Sequence, residues 1–216
     1  TGVQTCASSD LVAISDDGAS LVVGAPHSDS NAGAAYTFER TVVGEDLVWT
    51  LTNKMIVADS AYCGTSVSIS GDGLTLALGS TLTNTGDGAV YIFYRANRLT
   101  NTWTSVVGIT DTSSAGQLGG AVSLSTDGTV LVAGGKTYSN FKGGIRIYHT
   151  TDHVNWYLSS SYDVVGGTNG WLQIPAESYG SNYYGYAVAV SGDGQIAVVG
   201  APQHSAYPDG GAAEGA

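Results

Sequence analysis

The sequence repeats, and the repeat limits the fold more than any other feature. Ser15-Asp16-Asp17-Gly18 returns as Ser70-Gly71-Asp72-Gly73, Ser125-Thr126-Asp127-Gly128 and Ser191-Gly192-Asp193-Gly194, at Gly-to-Gly spacings of 55, 55 and 66 residues. The register extends to both sides of this anchor. Six residues after it stand Gly24, Gly79, Gly134 and Gly200, and fifteen after it Gly33, Gly88 and Gly143, with Gly210 at sixteen. Trp49, Trp103 and Trp156 follow it by 31, 30 and 28 residues, and Gly64, Gly119 and Gly185 precede it by nine. Self-similarity at such a period means that each unit is one supersecondary element stacked on its copies to bury a shared core.

Each unit reads as four short strands. In the second copy, Ser66-Val67-Ser68-Ile69-Ser70 alternates polar with apolar residues, the two-residue period of a half-buried strand. Gly71-Asp72-Gly73 reads as a two-residue hairpin turn, because Asp-Gly accepts positive φ. Leu74 to Leu78, Ala89 to Arg95 and Trp103 to Ile109 supply three more strands. A four-stranded unit of this length in tandem is the pattern of a propeller blade. The fold expected is all-β, a β-propeller of four-stranded antiparallel blades. About 3.5 of them are present: blade 1 at about 8–60, blade 2 at about 61–115, blade 3 at about 116–182 with an insertion, and a partial blade 4 at about 183–216.

Composition agrees with this and removes other classes. The chain carries 7 Lys+Arg against 18 Asp+Glu, a formal charge of −11, and 31 of its 216 residues are Gly. So few cations cannot neutralise a phosphate backbone, so nucleic acid is excluded as a partner. No apolar run is long enough for a membrane span. Gly-rich sequence with few Glu, Lys and Arg is poor helix material.

The residues (aromatic)-Gly-x-(Ser/Ala)-Val-x-(apolar)-Ser-x-Asp-Gly, then Gly-Ala-Pro, then Gly-Ala-x-Tyr-x-Phe-x-Arg, resemble the FG-GAP repeat, the blade unit of integrin-alpha-like propellers. The triplet stands at Gly24-Ala25-Pro26 and Gly200-Ala201-Pro202. The third-strand motif stands at Gly33 to Arg40 and Gly88 to Arg95, and the Phe-Gly slot is filled by Tyr184-Gly185, Leu118-Gly119 and Cys63-Gly64. The resemblance implies an extracellular or cell-surface module without enzymatic activity. Such a module would have a structural or adhesive role, with protein partners or further copies of itself, assembled head-to-tail into an oligomer or fibril through incomplete blade edges. The alternative reading is a carbohydrate- or protein-binding propeller of a longer surface protein, assisted by calcium. The family's calcium loops carry about three oxygen side chains. Here the turn residues Asp17, Asp72, Asp127 and Asp193 are read as turn formers with Gly18, Gly73, Gly128 and Gly194. Weak calcium binding is left to the longer loops His27 to Asn31 and Asn84 to Asp87, and no other cofactor is implied.

Chemistry-bearing clusters are few. His149 and His153, with Asp152 between them, lie in a turn after a strand with no third ligand in register, so no metal site is read there. Cys6 and Cys63 occupy neighbouring blades at similar radius. They form either a disulfide closing a 57-residue span, worth roughly 4 kcal/mol in the chain-entropy model, or two free thiols. The third unit exceeds the period by 11 residues, and insertions in repeat arrays fall in loops. Its aromatics Trp171, Tyr179 and Tyr183 are the candidate binding residues; the alternative reading has Trp171 covering a blade edge and Tyr184 as a core aromatic in the Phe-Gly slot. The fourth unit lacks an outer strand, so the repeat count predicts further chain or a neighbouring copy to complete the ring.

Overall fold

The computed structural model describes residues 11–58, 61–100, 102–110, 116–159, 171–172 and 182–203. Blade 1 contains β1 (Val12–Ile14), β2 (Ser20–Ala25), β3 (Ala34–Val43) and β4 (Asp46–Met55). Blade 2 contains β5 (Cys63–Ile69), β6 (Thr75–Ser80), β7 (Ala89–Tyr94) and β8 (Thr104–Thr110). Blade 3 contains β9 (Ala121–Leu124), β10 (Val130–Gly135), β11 (Gly144–His149) and β12 (Tyr157–Leu158). The last described pair is β13 (Ala187–Val190) with β14 (Ala197–Gly200). Each sheet runs in chain order with antiparallel neighbours, the propeller arrangement expected from the repeat.

The apolar core lies between blades rather than inside them. Val22, Ala35 and Met55 of blade 1 meet Val67, Ile69, Leu76, Leu78 and Phe93 of blade 2 at the first junction. Ala77, Val90 and Ile92 meet Val122, Leu124 and Leu131 at the second. Alternate residues of the inner strands β5, β9 and β13 insert into the preceding blade, which the two-residue period dictates.

The repeated glycines are the contact points of these junctions. Gly24, Gly79 and Gly134 lie against the carbonyls of Gly64, Gly119 and Gly185 in the next blade, too close for any Cβ. Gly33, Gly88 and Gly143 form parallel bridges to Cys63, Leu118 and Tyr184 with φ of 80–84°, and a side chain there would strike backbone. Backbone hydrogen bonds close the seam: Cys63 N to Ala32 O and Leu118 N to Asp87 O, both 3.0 Å. The Gly-Ala-Pro and Phe-Gly motifs therefore mark where one blade's main chain rests on the next.

Serine hydroxyls join the inner strands. Ser68 Oγ accepts from Leu124 N at 3.0 Å, and Ser123 Oγ accepts from Val190 N at 3.1 Å. These are amides on the inner edge of a sheet, which would otherwise need another acceptor.

Ser-x-Asp-Gly is not the two-residue hairpin expected. Ser70 N bonds Thr75 O, Gly73 N bonds Ser70 O, and only Gly73 takes positive φ. The loop is a four-residue turn ending in a left-handed glycine. The carboxylate explains the longer form: Asp72 Oδ1 accepts from Ser70 Oγ (2.5 Å) and Leu74 N (2.9 Å), while Ser70 Oγ accepts from Thr75 N (2.9 Å). The same box recurs at Asp17, Asp127 and Asp193.

Two substitutions separate these devices. Gly88→Ala introduces both a backbone clash and left-handed strain, and should lower stability by more than about 3 kcal/mol. Ser123→Ala leaves one amide without its acceptor and should cost about 1–2 kcal/mol. Chemical denaturation checks both; a Gly88→Ala loss no larger than that of Ser123→Ala contradicts the glycine seam.

Candidate functional site

The two rims of the arc differ in chemistry. One is made of the Ser-x-Asp-Gly turns, tied to one another by Asp16 N to Gly71 O (3.0 Å), Asp72 N to Thr126 O (3.2 Å) and Thr126 N to Gly192 O (3.0 Å). Thr126 Oγ1 also reaches Asp16 Oδ2 at 3.2 Å, bridging blades 1 and 3. The aspartates of this rim are committed to structure. Burial works against ionisation of Asp17, but the hydrogen bonds from Arg98, Ser15 and the Ala19 amide outweigh it and hold the carboxyl at about 2. Asp127 is lowered too, its partial burial being outweighed by Ser125 and Thr129, and Asp193 is lowered by Ser191 and the Gln195 amide.

The opposite rim is built by the loops from second to third strands and by the links between blades. Each of its three described loops contains consecutive residues in the left-handed region: Asp29, Ser30 and Asn31 in blade 1; Asn84, Thr85 and Gly86 in blade 2; Ser139, Asn140 and Phe141 in blade 3. Tyr62, Gln117 and Tyr183 adopt positive φ beside them, and the Tyr62, Gln117 and Tyr183 amides donate to the carbonyls of Asn31, Gly86 and Phe141. Non-glycine residues in this region hold the conformation against a local cost, and such residues cluster where side chains are aimed at ligands. The sequence signal for this is the Ser/Asn/Thr content of each loop at one repeat offset.

Blade 1 carries the most chemistry on this rim. His27 Nδ1 pairs with Asn31 Oδ1 at 3.1 Å, and the ring stands edge-on to Tyr62 with centroids 5.2 Å apart. Asn31 Oδ1 is an acceptor, so Nδ1 is the donor of this bond and Nε2 is left on the far side of the ring. Asp29 is paired with Lys54 Nζ at 2.8 Å, and Lys54 lies 5.8 Å from the centre of the Tyr36 ring. The Asp29 pair raises the Lys54 ammonium above its ordinary value. The loop proposed for weak calcium binding thus places its carboxylate on a lysine. Among the described residues no group of three or more His, Cys, Asp and Glu gathers as a metal site would.

Trp171 offers no contact surface: it is 1% exposed, stacked on Tyr138 at 4.3 Å with Arg146 4.8 Å from its ring. Its neighbour Leu172 bonds Ile145 in both directions. Because β12 covers only Tyr148 and His149, the returning segment completes the outer edge of β11, and Trp171 is drawn into the core. Tyr183 is half-buried and packs edge-on against Phe141 at 5.8 Å. Tyr179 lies outside the described residues. His149 and His153 are not brought together as ligands; His149 faces Tyr157, and His153 stacks on Tyr94 of blade 2 at 4.9 Å with Nδ1 3.3 Å from Thr75 Oγ1. Cys63 is a free, wholly buried thiol in the Phe-Gly slot, and burial pushes it up to about 12. Cys6 lies outside the described residues.

The pH response of the turn rim is testable. The Asp17 value falls on folding from 3.8 to about 2, so its contribution is complete above pH 3.8 and disappears as pH drops towards 2. The stability gap between wild type and Asp17→Asn should close over that window in acid-side denaturation; a constant gap between pH 5 and pH 2 contradicts the assignment.

The sequence matches no protein-family model and no curated protein. Solved structures do match. A protein of Bacteroides uniformis named provisionally as a 6-phosphogluconolactonase aligns at TM-score 0.56 and 18% identity, over 88% of this chain and 46% of its own. The periplasmic gluconolactonase of Pseudomonas aeruginosa aligns at TM-score 0.56 and 15% identity, over 88% and 50%. The hydrazine synthase of Kuenenia stuttgartiensis aligns at 0.51 and 15%, over 90% and 58%. The chain therefore spans about half the length of the two lactonase propellers. At these identities the likeness carries the fold, and the expectation of a non-enzymatic adhesive or structural module is corrected: the propellers matched are enzyme-type ones, and the chain is similar to half of such a ring.

Proposed function

We propose that this chain is part of an enzyme-type propeller that hydrolyses a sugar lactone at the rim carrying His27. The observation that carries the reading is the alignment of nearly the whole chain with about half of each of two propellers named for lactonase activity. The rim supplies suitable groups. His27 Nε2 accepts a proton from water as the oxygen attacks the lactone carbonyl; the ring C–O bond then breaks, and the same proton passes to the departing hydroxyl. Asn31 fixes the tautomer, and Lys54 and Tyr62 supply donors for the sugar hydroxyls.

Charge narrows the substrate. A net charge of −11 disfavours the approach of a phosphorylated sugar, so a neutral lactone fits better. The periplasmic origin of the gluconolactonase supports an exported location for this protein as well. Kinship with FG-GAP repeats is supported by the glycine seam, whose positions are those of the motif, and is proposed on that ground.

In a pH-stat assay with the intact protein, glucono-1,5-lactone should be hydrolysed faster than its spontaneous rate and faster than the 6-phospho lactone. His27→Gln should reduce the enzymatic rate by about 10²-fold or more, the share of a general base. Wild-type protein that adds nothing to the spontaneous rate rules the proposal out.

A further inference from the structure

Arg40 and Arg95 stand at the same repeat position, 22 residues after the turn glycine, but in unlike surroundings. Arg95 is a junction residue between blades 1 and 2, with its side chain entirely buried. Its Nε donates to Gly73 O of its own turn at 2.8 Å, Nη1 to Glu39 Oε1 of blade 1 at 2.7 Å, and Nη2 to Ser20 Oγ at 2.7 Å. The guanidinium lies 4.4 Å from the Trp103 ring. Arg40 is anchored in the same way to its own turn, with Nη2 donating to Asp17 O at 3.2 Å. Among the described residues it has no counterpart to Glu39 and Ser20, and it is half-buried.

The apolar residues of the same face agree. Val67 and Ile69 on β5 are 2% and 7% exposed, and Val122 and Leu124 on β9 are 7% and 8%, because each pair enters the preceding blade. Their copies on β1, Val12 and Ile14, are 58% and 53% exposed. This face thus presents two aliphatics and one arginine in the geometry that elsewhere receives a blade. A cation covered by apolar surface without a partner is strongly disfavoured, so whatever covers Val12 and Ile14 must bring an acceptor to Arg40.

We propose that the open face of blade 1 seats a further blade of the protein's own ring, one that offers Arg40 a carboxylate and a hydroxyl as Glu39 and Ser20 offer Arg95. A second copy docked head-to-tail fits less well. Its blade 4 carries Ile196, 64% exposed, at the repeat position of Ser20, so it would set an aliphatic side chain where the guanidinium needs a hydroxyl. The lactonase propellers, about twice the length of this chain, have room for the additional blades.

Arginine footprinting of the intact protein with phenylglyoxal, read by peptide mass spectrometry, tests this with internal standards. Arg95 serves as the protected residue and Arg98, whose side chain is 25% exposed, as the reactive one. Arg40 should react at least ten-fold more slowly than Arg98, at every protein concentration. Reaction as fast as that of Arg98 overturns the proposal, and so does protection that disappears on dilution, which assigns the face to a second copy. A Val12→Cys variant gives a reading independent of the arginine: maleimide labelling should be slow in the folded protein, and rapid labelling likewise overturns the proposal. Neither measurement depends on lactone hydrolysis.

Discussion

Everything in this structure depends on main chain touching main chain between blades. At each junction a second-strand glycine rests on a carbonyl of the next blade, and a glycine before the third strand pairs with a residue at or just before the start of the next blade's inner strand. No side chain can stand between them. The approach sets the spacing of the sheets, and that spacing lets Val67, Val122 and Val188 insert into the blade before them. The high glycine content is thus a consequence of stacking sheets around an axis, where the inner strands crowd together.

Polar groups are used at the seams for the same reason. Ser68 and Ser123 satisfy amides on the inner edges, and Glu39 and Ser20 accept hydrogen bonds from Arg95, whose buried side chain crosses the first junction, with Glu39 balancing its charge. A buried ion pair of this type is costly to break from one side, leaving an uncompensated charge, but it adds little over an apolar pair of the same shape. Its value lies in specificity: it tells one blade which neighbour it faces. The second junction uses Tyr94 stacked on His153 at the corresponding place, so the units are alike in backbone and individual in side chains.

The division between the rims follows from strand polarity. Turns joining first to second strands are short and self-satisfied, with each aspartate occupied by its own serine and amides. The loops on the other rim need two or three left-handed residues to turn back within the space left by the adjoining blade. That requirement places His27, Asn31 and Tyr62 together although 35 residues separate the first from the last. The rim has room for varied side chains, which is where propellers of one fold acquire different chemistry.

The repeat, the four-strand unit and the turn role of Asp17, Asp72, Asp127 and Asp193 are legible in the residues alone, because these rest on local periodicity and on contacts within five residues. The rest depends on how the blades pack. An inserted Trp171 is equally compatible in sequence with a binding loop and with cover for a blade edge; the short β12 leaves an edge that Leu172 fills, and this carries the indole inward. The Ser-x-Asp-Gly turn differs from a two-residue hairpin because the carboxylate, rather than the Asp-Gly dipeptide, selects the loop length. The pairing of His27 with Asn31 and Tyr62, and the unlike settings of Arg40 and Arg95, depend on which blade stands beside which. Such contacts cross from one repeat to the next, and a periodic sequence specifies every unit alike until its neighbours are in place.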